Sequence, residues 1–259
     1  MCLVILAHGA SARYPLVVAA NRDEFHARAT AASRFWRDQP GLLAGQDLEL
    51  GGTWMGVTRA GRFAAVTNFR DPARTSPAPR SRGELPLDFL LGDESPRDYL
   101  AAVAGRATEY AGFNLLAGAD GELWYLDNAD RESPQPLPPG IYGLSNARLD
   151  TPWPKVVAGT EKLTRLLQHG EVDHDKLAAV VGDRALADPL ALQSQRLHGE
   201  MDHLLSAQFI VTPGYGTRST TTLCIDDNGL ASWREQSFDS DGNVSAVNEY
   251  DFNVARPRP

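Results

Sequence analysis

The chain has 259 residues, 42% of them hydrophobic, and a formal net charge of −8. That size supports a substantial core, while the acidic balance and the lack of a concentrated basic patch exclude a nucleic-acid-binding surface. No stretch approaches the roughly 20 apolar residues of a membrane-spanning helix.

MCLVILAHGA opens the chain. It lacks a basic leader and its apolar run is too short for a signal peptide. Cys2 and Cys224 are the two cysteines and form no CxxC pair, which points to a reducing compartment and a cytoplasmic protein. CLVILA reads as a strand buried on both faces, and PLVVAAN as its antiparallel partner, ending in NRDE at residues 21–24. LLAGQD, TWMGVT and RFAAVTN continue the sheet between glycine breaks. Residues 70–82, RDPARTSPAPRSR, read as a surface loop whose four arginines are solvated.

Helices are expected over LPLDFLLG and from Pro96 to about Tyr110, the second with proline in its first turn. FNLLAGADGELWYLD is the clearest hairpin signal. PQPLPPG is a loop, and WPKVVAGTEKLTRLLQ and DHDKLAAVVGD read as amphipathic helices. AQFIVT, RSTTTLCID, GLASWREQSF and VNEYDFNV return to strands, and RPRP frays. Strands, then helices, then strands predict an α+β domain spanning residues 1–259, with the C-terminal strands paired to the N-terminal ones.

Cys2 admits three readings. It is a small buried hydrophobe that starts a strand, a chance placement, or, once Met1 is removed, a residue carrying both a nucleophilic thiol and a basic amine. The expected hairpin brings NRDE beside it, so Arg22 and a carboxylate would flank the thiol. Asn68, Asn114 and Asn146 stand at strand ends, where an amide can face an oxyanion or simply make a turn. Arg218, between glycines and a β-branched strand, could support a buried polar site. There is no phosphate-binding GxxxxGK[ST], no GxGxxG after a strand, and no GxSxG. HGEMDH misses zinc-protease spacing.

Taken together, MC, NRDE, GGTWMG, TNFR, SRG, GFNL, GLSN, WPK and YGTRSTT resemble the NRDE family, also called the Transport and Golgi organisation protein 2 family, over nearly the whole chain. The resemblance implies kinship with cysteine N-terminal nucleophile hydrolases such as bile-salt hydrolase and penicillin V acylase. It implies their four-layer αββα sandwich, no cofactor, and a small-molecule substrate, an amide or acyl thioester. The positions that match in order are Cys2 as nucleophile, Arg22, Asp23, Asn146 for the oxyanion hole with Asn68 as a second donor, and the late Arg218. One departure concerns Asp23. The hydrolases separate that arginine and aspartate by two residues, whereas here they are adjacent. Adjacent strand residues face opposite ways, so Glu24 is the same-face carboxylate unless the strand has ended or bulged. The family resemblance also implies an alternative, a non-catalytic haem or lipid trafficking protein, with Cys2 and His8 as candidate haem ligands.

Overall fold

The computed structural model describes residues 2–70, 78–129, 133–170, 172–195, 197 and 199–255, without the side chains of 194 and 200. Two antiparallel sheets lie face to face. The first runs in the order β10 (Gly140–Leu144), β1 (Cys2–His8), β2 (Leu16–Phe25), β11 (Tyr215–Ile225), β12 (Leu230–Phe238), β13 (Val244–Asn253). The second runs β3 (Thr30–Phe35), β4 (Leu42–Asp47), β5 (Met55–Thr58), β6 (Phe63–Asn68), β7 (Phe113–Ala119), β8 (Glu122–Asp127), β9 (Gln135–Pro136).

The continuous apolar run of β1 has a direct cause: both of its faces are buried. Val4 and Leu6, with Val18 and Ala20 of β2, enter the core between the sheets. Leu3, Ile5 and Ala7 face the other way, with Val156 and Leu163 of helix α3 (Pro154–His169) and Leu177 of α4 (His174–Val180). On the outside of the second sheet, α1 (Glu84–Leu91) and α2 (Pro96–Ala104) contribute Leu85, Phe89 and Leu100 to a third cluster. The molecule is thus an α+β, four-layer αββα sandwich, the architecture that the resemblance to N-terminal nucleophile hydrolases implies.

The Ala-Asp-Gly hairpin forms as its sequence requires. Asp120 and Gly121 both have positive φ (53° and 80°) and connect β7 to β8, the pair a tight primed turn demands. The C-terminal strands do return to the N-terminal ones, since β11 pairs with β2 along its length.

AQFIVT is not a strand. Both edges of β11 are already taken, by β2 and β12. Residues 207–212 therefore run as irregular backbone, with the Ile210 N–H bonded to Thr217 Oγ1 and the Phe209 N–H to the Asp183 carbonyl. The helix begun at Pro96 stops at Ala104 and is followed by a single tighter turn, Ala107–Glu109. β3 (TAASRF) lacks an apolar alternation and β10 (GIYGL) is broken by two glycines, so neither reads as a strand alone. α5 (Pro189–Ser194) and α6 (Glu200–Leu204) are too short for a periodic signal. Residues 71–77 of the arginine-rich loop and the terminal residues 256–259 lie outside the described residues.

Candidate active site

Antiparallel pairing sets Cys2 directly opposite Arg22. Directly opposed residues share a face, so the thiol and the guanidinium both turn toward the space between the sheets. There they line a cleft of about 280 Å³ together with Glu24, Trp54, Asn68 and Arg82. Arg22 is only 6% exposed. Its guanidinium lies 4.4 Å from the centroid of the Trp54 ring and 3.9 Å from Glu24. The Trp54 ring fits because position 45 is glycine: a Cβ there would come within 2.2 Å of the indole.

β2 does not bulge between Arg22 and Asp23, the extra residue lying on β11, so the Asp23 side chain turns toward Thr217 while Asp23 still borders the cleft, and Glu24 is the carboxylate beside Arg22. Asp23 is nevertheless close to Cys2 along the backbone. β1 begins at Cys2 opposite Arg22, so the register puts the Cys2 amine nitrogen on the Asp23 side. Asp23 is 1% exposed and accepts from Thr217 Oγ1 at 2.7 Å. Burial raises its pKa, and the nearby Lys155 ammonium pulls it back down. Lys155, the lysine of WPK, is itself buried and donates to the Leu205 carbonyl.

The asparagines divide into two groups. Asn68 stands on the cleft wall, partly exposed. Asn146 is buried behind it and donates through Nδ2 to the Asn68 carbonyl at 2.9 Å. The two side by side line an adjoining groove with Arg82. The Ser145 hydroxyl lies 3.1 Å from the Cys2 carbonyl and 3.2 Å from Asn146 Oδ1, tying this turn to the strand that carries the thiol. The N–H groups of Phe69 and Arg70 are committed to the carbonyls of Gly112 and Asn146. The side-chain amides, rather than the backbone after Asn68, are therefore the available donors. Asn114 is fully buried and structural. Its Nδ2 donates to Thr67 Oγ1 and the Ala147 carbonyl, and its Oδ1 accepts from the Tyr125 hydroxyl.

Arg218 does not line the cleft. It is the extra residue of a β-bulge between Thr217 and Ser219, and a bulge re-aims the side chain it carries. Its guanidinium donates to the carbonyls of Phe25, His26 and Arg28, bracing the turn after NRDE. The cleft arginine that a sequence reading overlooks is Arg82. Its loop reads as solvated surface, yet it is held against GGTWMG backbone to backbone. The Thr53 N–H bonds to the Gly83 carbonyl, and a Cβ on Gly52 would lie 2.4 Å from the Gly83 carbonyl carbon. Of the other loop arginines, Arg70 pairs with Asp202 and Arg80 with Glu84 and Glu109, while Arg74 lies outside the described residues.

Burial raises the pKa of the Cys2 thiol, and the Asp23 carboxylate adds to the rise; Arg22 and the Asp23 backbone N–H oppose it. The sulfur is thus a neutral thiol at neutral pH, and a nucleophilic role needs a base to take its proton. Cys2 and His8 sit at opposite ends of β1, about 20 Å apart at strand rise, so the two candidate haem ligands do not share a site. No group of three or more potential metal-ligating residues occurs among the described residues. No helix among them is long and apolar enough to cross a membrane.

Residues 1–240 match the model of the family described as Transport and Golgi organisation 2. The chain is 36% identical over 241 residues to the Bos taurus Transport and Golgi organization protein 2 homolog, covering 86% of this chain and 87% of that one. Among solved structures it resembles a variant of the conjugated bile acid hydrolase from Clostridium perfringens, with a TM-score of 0.53, 10% identity, and coverage of 100% of this chain and 99% of that one. It also resembles a Caenorhabditis elegans N-acylethanolamine-hydrolyzing acid amidase ortholog, with a TM-score of 0.50, 9% identity, and coverage of 86% and 92%.

Proposed function

This chain belongs to the Transport and Golgi organisation 2 family, and on that premise we propose that it is an N-terminal-cysteine hydrolase acting on a small amide or acyl thioester. The observation that carries the reading is the register of Cys2 against Arg22, which sets the thiol in the cleft and the Cys2 amine on the Asp23 side. The names of the two fold neighbours, an acid amidase and a bile acid hydrolase, agree with it.

In this mechanism Met1, which lies outside the described residues, is removed. The free amine of Cys2, with a pKa near 8 as an α-amino group, takes the thiol proton as sulfur attacks the carbonyl. Asp23, buried beside Lys155, holds the resulting ammonium. The second proton of Asn146 Nδ2 and the Asn68 amide receive the oxyanion; losing one such donor typically costs about 3 kcal/mol of barrier. The ammonium then protonates the leaving amine or thiolate as the C–N or C–S bond breaks. Water, deprotonated by the same amine, attacks the acyl-cysteine and releases the acid, returning the thiol. Arg22, pinned on Trp54, holds the thiol side of the cleft positive.

Cys2→Ala is expected to abolish turnover and acyl-adduct formation while retaining the wild-type melting temperature. Retained turnover would refute the reading. Saturable acyl-ligand binding by the wild type with no adduct under any acyl donor would favour a carrier on the same fold.

A further inference from the structure

The arginines around the cleft are not equivalent. Arg28 is held by Asp47 at 2.6 Å, by Glu49 at 3.3 Å and by Glu24 at 3.8 Å. Arg80 is bonded to Glu84 and to Glu109. Arg82 has no carboxylate within 4.0 Å among the described residues; its NH1 donates to the Gly112 carbonyl at 3.0 Å, which carries no net charge. The rest of its guanidinium fork is open to the cleft and to the groove shared with Asn68 and Asn146. Across the same cleft, NH1 of Arg22 is buried without a hydrogen-bond partner. Desolvation lowers the pKa of both arginines, and the Glu24 carboxylate opposes that fall in both.

A half-buried guanidinium with no carboxylate in ion-pair contact among the described residues, on a loop fixed by the Gly52–Gly83 contact, has the features of an anion receptor. A planar fork suits a planar carboxylate. One such guanidinium balances one negative charge, which favours a carboxylate over a phosphate dianion.

We propose that Arg82 is a specificity-determining residue and that the cleft takes an acyl compound bearing a carboxylate near the scissile carbonyl, of the N-acyl amino acid type. The proposal rests on the hydrolytic reading for the position of that carbonyl at Cys2, but the recognition of the carboxylate does not depend on turnover.

The test compares binding of N-octanoylglycine and N-octanoylethanolamine by titration calorimetry on the Cys2→Ala protein. The two probes share the chain and the amide and differ in carboxylate against hydroxymethyl. The acylglycine is expected to bind about tenfold more tightly, the size of one charge-assisted pair. Arg82→Gln should bring the two to parity, and Arg82→Lys, which keeps the charge but not the fork, should keep only part of the preference. Parity in the Cys2→Ala protein, absence of acylglycine binding, or a preference that survives Arg82→Gln would each overturn the proposal. Wild-type turnover is scored separately. A tenfold binding preference with no turnover refutes the hydrolytic reading alone, and turnover of both compounds without a preference refutes this one alone.

Discussion

Gly52→Ala tests how the cleft is built. Gly52 is buried, and an ideal Cβ there would lie 2.4, 2.5 and 2.8 Å from the carbonyl carbon, carbonyl oxygen and Cα of Gly83. All three are backbone atoms, so no side chain can swing away. Ordinary contact requires the two segments to separate by about 1 Å, since protein interiors have no slack to absorb the methyl. Overpacking of this kind costs about 1–3 kcal/mol. The Thr53 N–H to Gly83 carbonyl bond, 2.9 Å long, spans the same gap, and stretching it adds about 1 kcal/mol. Against this, alanine restricts the unfolded chain and returns about 0.4–1 kcal/mol. The net expectation is a destabilisation of about 1–3 kcal/mol. Gly41 is the control, because a Cβ there meets nothing within 4 Å; Gly41→Ala should be neutral or slightly stabilising. Urea unfolding of the two variants, compared at equal m-value, reads the difference. If Gly52→Ala is as mild as Gly41→Ala, the backbone contact that holds Arg82 in the cleft is not there.

Other outcomes follow from the same geometry. Lys155→Met removes a cation that acts on buried Asp23 and leaves the Leu205 carbonyl without its donor, so it should destabilise by about 1–3 kcal/mol in denaturant unfolding; a near-neutral change would remove that role from Lys155. Asn114→Ala opens the hydrogen bonds that fix the carbonyls of Ser145 and Ala147, on either side of Asn146. It should cost about 3 kcal/mol and lower turnover through Asn146, whereas unchanged stability would show that the network is redundant. His174 is locked between Thr222 Oγ1 and Ser232 Oγ, and burial, with Arg234 nearby, depresses its pKa. Its folded pKa lies below its unfolded value, so the unfolded chain takes up the proton first. The stability from the neutral ring is present above about pH 6.5 and falls as pH drops from there toward the folded pKa. Melting temperature against pH should show that loss, and His174→Gln should flatten it. Cys224 is buried, which pushes its thiol up to about 12, whereas Cys2 is partly exposed at the cleft, so at pH 8 a soft alkylating agent should label Cys2 ahead of Cys224 in peptide mapping.

The parts of this architecture that were readable in the sequence are those set by local pattern. β1 and β2 are continuous apolar runs because both faces are buried, and their antiparallel pairing as consecutive strands sets NRDE beside Cys2. The adjacency of Arg22 and Asp23 also told its consequence correctly: with β2 unbroken, Glu24 joins Arg22 and Asp23 turns toward Thr217. What stayed hidden depends on contacts between distant segments. Arg218 looked like a site residue, but a bulge is a property of two strands in register and leaves no mark on either alone. Arg82 looked solvated because its loop is rich in proline and poor in apolar residues. What brings it inward is the meeting of two glycines, one in GGTWMG and one in SRG. Asn114 and Asn146 are alike in sequence context, and only their partners make one a strut and the other a candidate donor.

The central claim is that Cys2 is a nucleophile at the mature N-terminus, and intact-mass spectrometry of the untagged protein tests it most directly. The protein is expressed in a cell with its normal methionine aminopeptidase and measured before and after incubation with an octanoyl thioester. The account predicts a chain lighter by one methionine residue that gains a single octanoyl group, absent from Cys2→Ala. A chain that keeps its methionine, or a processed chain that gains no acyl group on Cys2, would contradict it.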